Sequence, residues 1–444
     1  MRIEKIEIEN FRGFKGKHAV SFHPNLNVFV GVSGSGKSSI LDLIGLSNGM
    51  LMHEVTNNYN SPLPFLTLDI NSESTFCKNT VHYSEGGIFS AKTNFNFQFS
   101  KELPLNKFQK DKYELITDFS LKYDLNEIKK SELKSDGEKK LDISNIKSFP
   151  IFRYFHVKRQ FENSVEVSNI EFLPFQIKAY EGSFHALHNF ERFSINFKTD
   201  EDKENRFKVR NRNIDYESPM LEPVRKALKV FLSNLNIESF TNIRIDDLKE
   251  FSHNIGDLSV DKNKETFNLN QLSNGEQTMI LLAADIAQKL SYANPFSENT
   301  LQGKGIVLID EIETHLHPEW QREVIPALTA TFPNIQFFIT THSPQVLSNV
   351  PNENVIIIEN FEFKKAPQTL GKDSNSILND VFGVSERPKK YQKAFEELYD
   401  LIDNPDKVEE AKAKLRQMME ELGTDDAEIE RAKMHFEFLT EKPI

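Results

Sequence analysis

Leu26-Asn27-Val28-Phe29-Val30-Gly31-Val32-Ser33-Gly34-Ser35-Gly36-Lys37-Ser38-Ser39-Ile40 is the stretch that decides the fold. Its first five residues form a short, nearly unbroken apolar run ending at a glycine, the pattern of a buried strand. Apolar residues then recur at Ile40, Leu41, Ile44 and Leu46 with a helical period. Between the two elements, Gly31 to Ser38 fits G-x-x-x-x-G-K-[ST]. The glycines let backbone N–H groups curl round phosphate oxygens, and the following helix aims the positive end of its dipole at them. Lys37 is then placed to reach β- and γ-phosphates, and Ser38 to offer its hydroxyl to Mg²⁺. A glycine turn that binds nothing needs neither a strand before it nor a helix after it. Gly31, Ser33, Gly34, Ser35, Gly36, Lys37, Ser38 and Ser39 are the candidate contacts to ATP.

Ile306-Val307-Leu308-Ile309-Asp310-Glu311 is the natural partner of that loop. A four-residue apolar strand ending in two acids puts carboxylates at the C-terminal edge of a parallel sheet, where ligands bind. Asp310 would hold Mg²⁺, and Glu311 would orient or deprotonate the attacking water. Leu272-Ser273-Asn274-Gly275-Glu276-Gln277 opens a helix, with Ser273 as N-cap and Glu276 three residues on. A capping box accounts for this pattern fully. The other reading is that the same helix N-terminus faces a γ-phosphate.

The remaining composition sets limits without naming a function. The chain has 444 residues and a net charge of −12, enough length for two or three domains. No apolar run of 18 residues is present, so no membrane span is expected, and the start lacks the apolar core of a signal peptide; a cytoplasmic protein is expected. The single cysteine, Cys77, excludes an internal disulfide framework and reads as a small buried hydrophobe. Alternating strand and helix text over 267–360 predicts an α/β sheet. The expected organisation is an ATPase lobe over 1–99, an inserted region over 100–260, a second ATPase lobe over 261–365 and a helical region over 366–444. The tail is acidic: residues 395–430 carry 13 acids against 4 bases. Basic patches lie at 101–160 and 200–212, and interleaved acids favour a solvated surface there over nucleic-acid contact.

Leu272-Ser273-x-Gly275-Glu276-Gln277, set beside the phosphate loop and the Asp310-Glu311 strand, resembles the signature of ATP-binding-cassette (ABC) ATPases. The resemblance implies that Ser273 and Gly275 close over ATP held by another subunit. His342, in Thr340-Thr341-His342-Ser343-Pro344, resembles the switch histidine of that class, contacting the γ-phosphate. The gap from Ser38 to Leu272 shows no sustained heptads, so long coiled-coil arms are not expected. What remains resembles the RecF/SMC/OLD-like (overcoming-lysogenisation-defect) ATPases, whose opening phrase is echoed in Ile8 to Phe14; Arg12 would then sit near the nucleotide. The expected fold is an α/β ABC-type P-loop NTPase with a mixed α/β insertion and a C-terminal helical subdomain.

The likeness extends to the PtuA-like ATPases of Septu and retron-associated antiphage systems, through Leu68-Asp69-Ile70, 190–205, Gly371 to Leu378 and Arg387-Pro388. It implies an ATPase dimer, or a higher oligomer, that senses infection and controls a separate nuclease of HNH or Toprim type. A DNA-binding repair ATPase and a nucleotide-gated scaffold are the alternatives. The glutamine that senses the γ-phosphate in the wider class has no clear counterpart; Asp69 and Gln160 are weak candidates. His315 and His317 could form a metal pair, though a subunit-contact loop fits better because no third ligand is near in sequence. No nuclease motif is visible after His342.

Overall fold

The computed structural model describes residues 2–45, 88–100, 112–124, 150–156, 178–180, 183, 191–235, 240–246 and 257–440. Asp69, Cys77 and Gln160 lie outside the described residues, as does most of the basic stretch 101–160. The chain divides into two units, residues 1–377 and 378–444.

The first unit is built on a six-stranded sheet containing β3 (Leu26–Val30), β6 (Ile151–Phe155), β10 (Gly305–Ile309), β11 (Ile335–Thr341), β12 (Val355–Glu359) and β13 (Glu362–Lys365). The strand order is β13-β12-β3-β11-β10-β6, and every pairing is parallel except that of β12 with β13. Every residue of β3, β6, β10 and β11 is buried. That is why these strands read as continuous apolar runs rather than as alternation. β6 lies within the 100–260 segment expected as an insertion, yet it is the edge strand beside β10.

Two antiparallel sheets accompany this core. β1 (Arg2–Phe11) and β2 (Phe14–Ser21) pair with each other, and β1 continues to β4 (Ile88–Ser100) and β5 (Lys112–Asp124) in the order β2-β1-β4-β5. The alternation at Ile3, Ile6 and Ile8 is one face of β1 turned inward, since all three are buried. β7 (Phe240–Asp246), β8 (Asp257–Lys262) and β9 (Glu265–Asn268) form a three-stranded meander.

Helix α1 spans residues 37–45, and α2 (Glu191–Asn211), α3 (Glu222–Asn234), α4 (Asn274–Ala293) and α5 (Pro318–Thr331) follow. α4 is buried along nearly its whole length, from Gly275 to Ala293. It is tied to the sheet by a partly buried ion pair in which Arg153 Nε of β6 meets Asp285 Oδ2 at 2.5 Å. No long coiled coil is present among the described residues, and none of their helices is long and apolar enough to cross a membrane.

α2 resolves the ambiguity of the 200–212 patch. Three of its four acids within the patch turn inward, Asp202 staying exposed: Asp200 accepts a 2.5 Å bond from the Tyr292 hydroxyl, and Glu201 accepts the Ile245 N–H. Glu204, 1% exposed, takes Arg225, Lys208 and the Ser218 N–H. Arg206, Arg210 and Arg212 stay exposed, so the outer face is more basic than the sequence suggests.

The second unit is a three-helix bundle of α6 (Lys389–Ile402), α7 (Val408–Leu422) and α8 (Ala427–Thr440). Phe395, Leu398, Ile402, Ala411, Leu415, Met418, Ile429, Ala432 and Phe436 form its core, at the spacing of three amphipathic stripes. Asn404 caps the turn at Pro405, accepting the Asp406 N–H at 3.0 Å, and α7 stops at Gly423, whose φ of 92° suits glycine. Arg387 grips Asp426 through two bonds of 2.8 and 2.9 Å. Asp426 also accepts the Glu428 and Ile429 N–H groups at the start of α8.

Candidate active site

Register brings the candidate residues to one edge of the sheet. Val30 pairs with Thr341 and Ile309 with Ile339, so the chain leaves β3, β10 and β11 at nearly the same level. The turns that follow hold Gly31 to Gly36, Asp310-Glu311 and His342, and Lys37 and Ser38 open α1. The C-terminal edge of a parallel sheet is where such folds bind ligands.

The proposed Mg²⁺ ligands meet directly. Ser38 Oγ donates to Asp310 Oδ1 at 3.1 Å, across 272 positions of sequence. Thr340 Oγ1 donates to the same oxygen at 2.6 Å and accepts the Glu311 N–H at 2.8 Å. Glu311 adopts a left-handed backbone (φ 49°), a conformation that costs a non-glycine residue about 1–2 kcal/mol. The Thr340 bonds hold it there, because Ile312 N–H also donates to the Thr340 carbonyl. Lys37 Nζ bonds the Gly31 and Val32 carbonyls at 3.0 and 3.1 Å, capping its own loop. Gly36 has a φ of 109°, and a Cβ there would press on Phe14 and Phe361 at 2.9 Å. Only glycine lets the loop pass so close.

Electrostatics follow from burial. Asp310 is pushed up to about 6 by burial, against the hydrogen bonds of Thr340 and Ser38, while Asp42 and Glu311 add repulsion. Burial lowers Lys37, opposed by the charges of Asp310, Glu311 and Glu313. It also lowers His342, with Lys37 adding to the effect. A buried carboxylate surrounded by other carboxylates is a place that favours a cation. The donor set, one hydroxyl and one carboxylate already in contact, fits the hard oxygen-ligand preference of Mg²⁺.

Arg12 stands in the turn between β1 and β2 with a φ of 50°. It donates to Ser39 Oγ at 3.2 Å and to Asp42 Oδ2 at 2.6 Å, both on α1. The Tyr154 hydroxyl donates to the other Asp42 oxygen at 2.8 Å. Sequence reading missed Asp42 and Tyr154: neither lies in a motif, and Tyr154 is 112 positions from its partner. Glu313 was missed too. Its Oε1 accepts the His342 N–H at 2.6 Å.

Ser273 and Gly275 are not joined to this cluster by any hydrogen bond among the described residues. The capping box is real: Ser273 and Glu276 exchange side-chain and backbone bonds, and Lys262 pairs with Glu276 at 2.6 Å. Gly275 is buried, and a Cβ there would meet the His315 carbonyl at 2.6 Å and the Trp320 ring at 3.2 Å. Ser273 and Asn274 remain exposed, presenting the helix start to solvent. His317 caps α5, its Nδ1 accepting the Glu319 N–H.

Residues 26–348 match the family described as "AAA domain, putative AbiEii toxin, Type IV TA system". The chain belongs to this family. It is 30% identical to the "Retron Ec83 probable ATPase" of Escherichia coli, over 98% of this chain and 87% of that one. It is 34% identical to the Septu protein PtuA of Bacillus mycoides, over 35% of this chain and 22% of the relative. Among solved structures, an SMC head bound to the C-winged helix domain of ScpA aligns with a TM-score of 0.47 and 14% identity, covering 83% of this chain and 99% of that one. The likeness to retron and PtuA ATPases is borne out.

Proposed function

We propose that the chain binds and hydrolyses ATP, dimerises around two nucleotides, and works in a cytoplasmic antiphage complex in which it governs a separate nuclease. The observation that carries the catalytic part is the meeting of Ser38 and Asp310 beside Glu311, Lys37 and His342 at one sheet edge. Ser38 and Asp310 would hold Mg²⁺; when bound, the ion neutralises charge on the β- and γ-phosphates. Lys37 moves from its loop carbonyls to the phosphates, and α1 directs its dipole at them. Glu311, fixed by its turn, orients water and accepts its proton. His342, at the end of β11, would contact the γ-phosphate.

The exposed capping box supports dimerisation. Helix α4 presents Ser273 outward with its N-terminal N–H groups, which suits an anion held by a second copy. Glu311→Gln should therefore accumulate an ATP-bound dimer, visible by size-exclusion chromatography with light scattering. Adding Ser273→Arg should abolish that dimer; a persistent dimer would remove the signature from the interface. The defence role rests on the retron and PtuA relatives, and stoichiometric co-purification of a nuclease from the native host would support it. The outward Arg206, Arg210 and Arg212 favour a second reading, a DNA-binding ATPase. ATPase stimulation by DNA without any co-purifying nuclease would select it.

A further inference from the structure

Hydrogen bonds stitch the turn after β10 to the end of β11. Thr340 donates to Asp310 and accepts from Glu311, Ile312 donates to the Thr340 carbonyl, and Glu313 accepts the His342 N–H. Three of these converge on Thr340, which touches the metal-binding carboxylate itself. The fourth is different. Of these four bonds, it alone reaches the His342 backbone, and it alone does not involve Thr340.

We infer that Glu313 is the positioning residue of the switch: its carboxylate sets His342 relative to Glu311. The inference rests on the ATPase reading above. The 2.6 Å bond runs from a main-chain N–H to a carboxylate oxygen, at the short end of the range for N–H···O bonds. From a position two residues after Glu311, Glu313 fixes the backbone from which the imidazole projects. The other oxygen, Oε2, is buried and finds no donor among the described residues. A partly buried carboxylate with one oxygen buried and unpaired is a poor choice for stability alone. Its charge also acts favourably on both Lys37 and the protonated form of His342. The residue thus sits within electrostatic reach of both groups assigned to the phosphates, while bonding only the backbone of one of them.

Turnover and ATP affinity of Glu313→Ala, Glu313→Gln, His342→Ala and the Glu313→Ala/His342→Ala pair test this. Glu313→Ala should lower kcat roughly 10- to 100-fold, the range for leaving a partly buried backbone N–H unpaired, with ATP affinity held within about threefold. Glu313→Gln keeps an acceptor oxygen of nearly the same shape and should recover kcat to within about threefold of wild type. The double variant should be no slower than His342→Ala, because the two residues act as one unit. A Gln variant that folds, by its melting curve, and is as slow as the Ala variant would overturn the inference. Multiplicative losses in the double variant would do the same. If His342→Ala is slow but Glu313→Ala matches wild type, the inference fails alone. If His342→Ala turns over normally, the switch assignment fails with it.

Discussion

The sheet edge and the C-terminal bundle both carry many carboxylates, and they handle them in opposite ways. At the sheet edge, Asp310 is 6% exposed and lifted to about 6, with Asp42, Glu311 and Glu313 nearby. In the bundle, acids stay at the surface or meet a base: Asp426 takes Arg387, Glu421 takes Lys390, and Glu397 takes Lys414. Crowded buried carboxylates lower stability and make sense when a cation arrives to join them. Surface pairs contribute little each and keep a helical bundle soluble. Many acids in a sequence therefore say less than where the fold puts them. The tail's share of the −12 charge is a solvated surface, whereas the candidate site gathers its few acids around a buried Asp310.

Substitutions on the two sides should separate the roles. Lys37→Ala should have the largest effect, weakening ATP binding by at least about 100-fold as phosphate contacts to a charged donor disappear. Isothermal calorimetry checks it, and unchanged affinity would dissolve the contrast at its root. Glu311→Gln should retain ATP affinity yet lower turnover roughly 100-fold or more, the scale of losing a general base. Wild-type turnover there would leave the buried acids without a catalytic role.

The bundle should behave differently. Leu415→Ala removes a fully buried side chain and should destabilise α7 by about 3 kcal/mol, read by hydrogen exchange, while ATP affinity stays unchanged. Asp426→Ala should cost about 1 kcal/mol through the lost cap of α8. Arg387 holds the Asp426 carboxyl below its ordinary range. Its stabilisation is full above the unfolded value of about 3.9 and is lost as pH falls through the lower folded one. The difference between wild type and Asp426→Ala should accordingly shrink in acid; a gap independent of pH would place the effect in packing rather than charge.

Much of this was legible in order along the chain. Gly31 to Ser38, the strand ending at Asp310-Glu311 and the Ser273 capping box each lie within a few residues, so spacing alone specifies their local geometry. The bundle's stripes were equally readable, since Phe395, Leu398 and Ile402 repeat at helical intervals. Segment boundaries were less so: β6 reads as part of an insertion but completes the core sheet beside β10, because a buried edge strand carries no sign of its neighbour.

By itself, then, the sequence determined a phosphate loop, its carboxylate partner and a helical tail, since each rests on short-range periodicity and backbone chemistry. Only the tertiary structure decided that Ser38 touches Asp310, that Asp42 ties Arg12 to Tyr154, and that Glu313 grips the His342 backbone. It also turned Asp200, Glu201 and Glu204 inward and left Arg206, Arg210 and Arg212 outside. These contacts join residues far apart in the chain, and parallel-strand register, which no local pattern encodes, sets which turns emerge side by side at the candidate site's edge of the sheet.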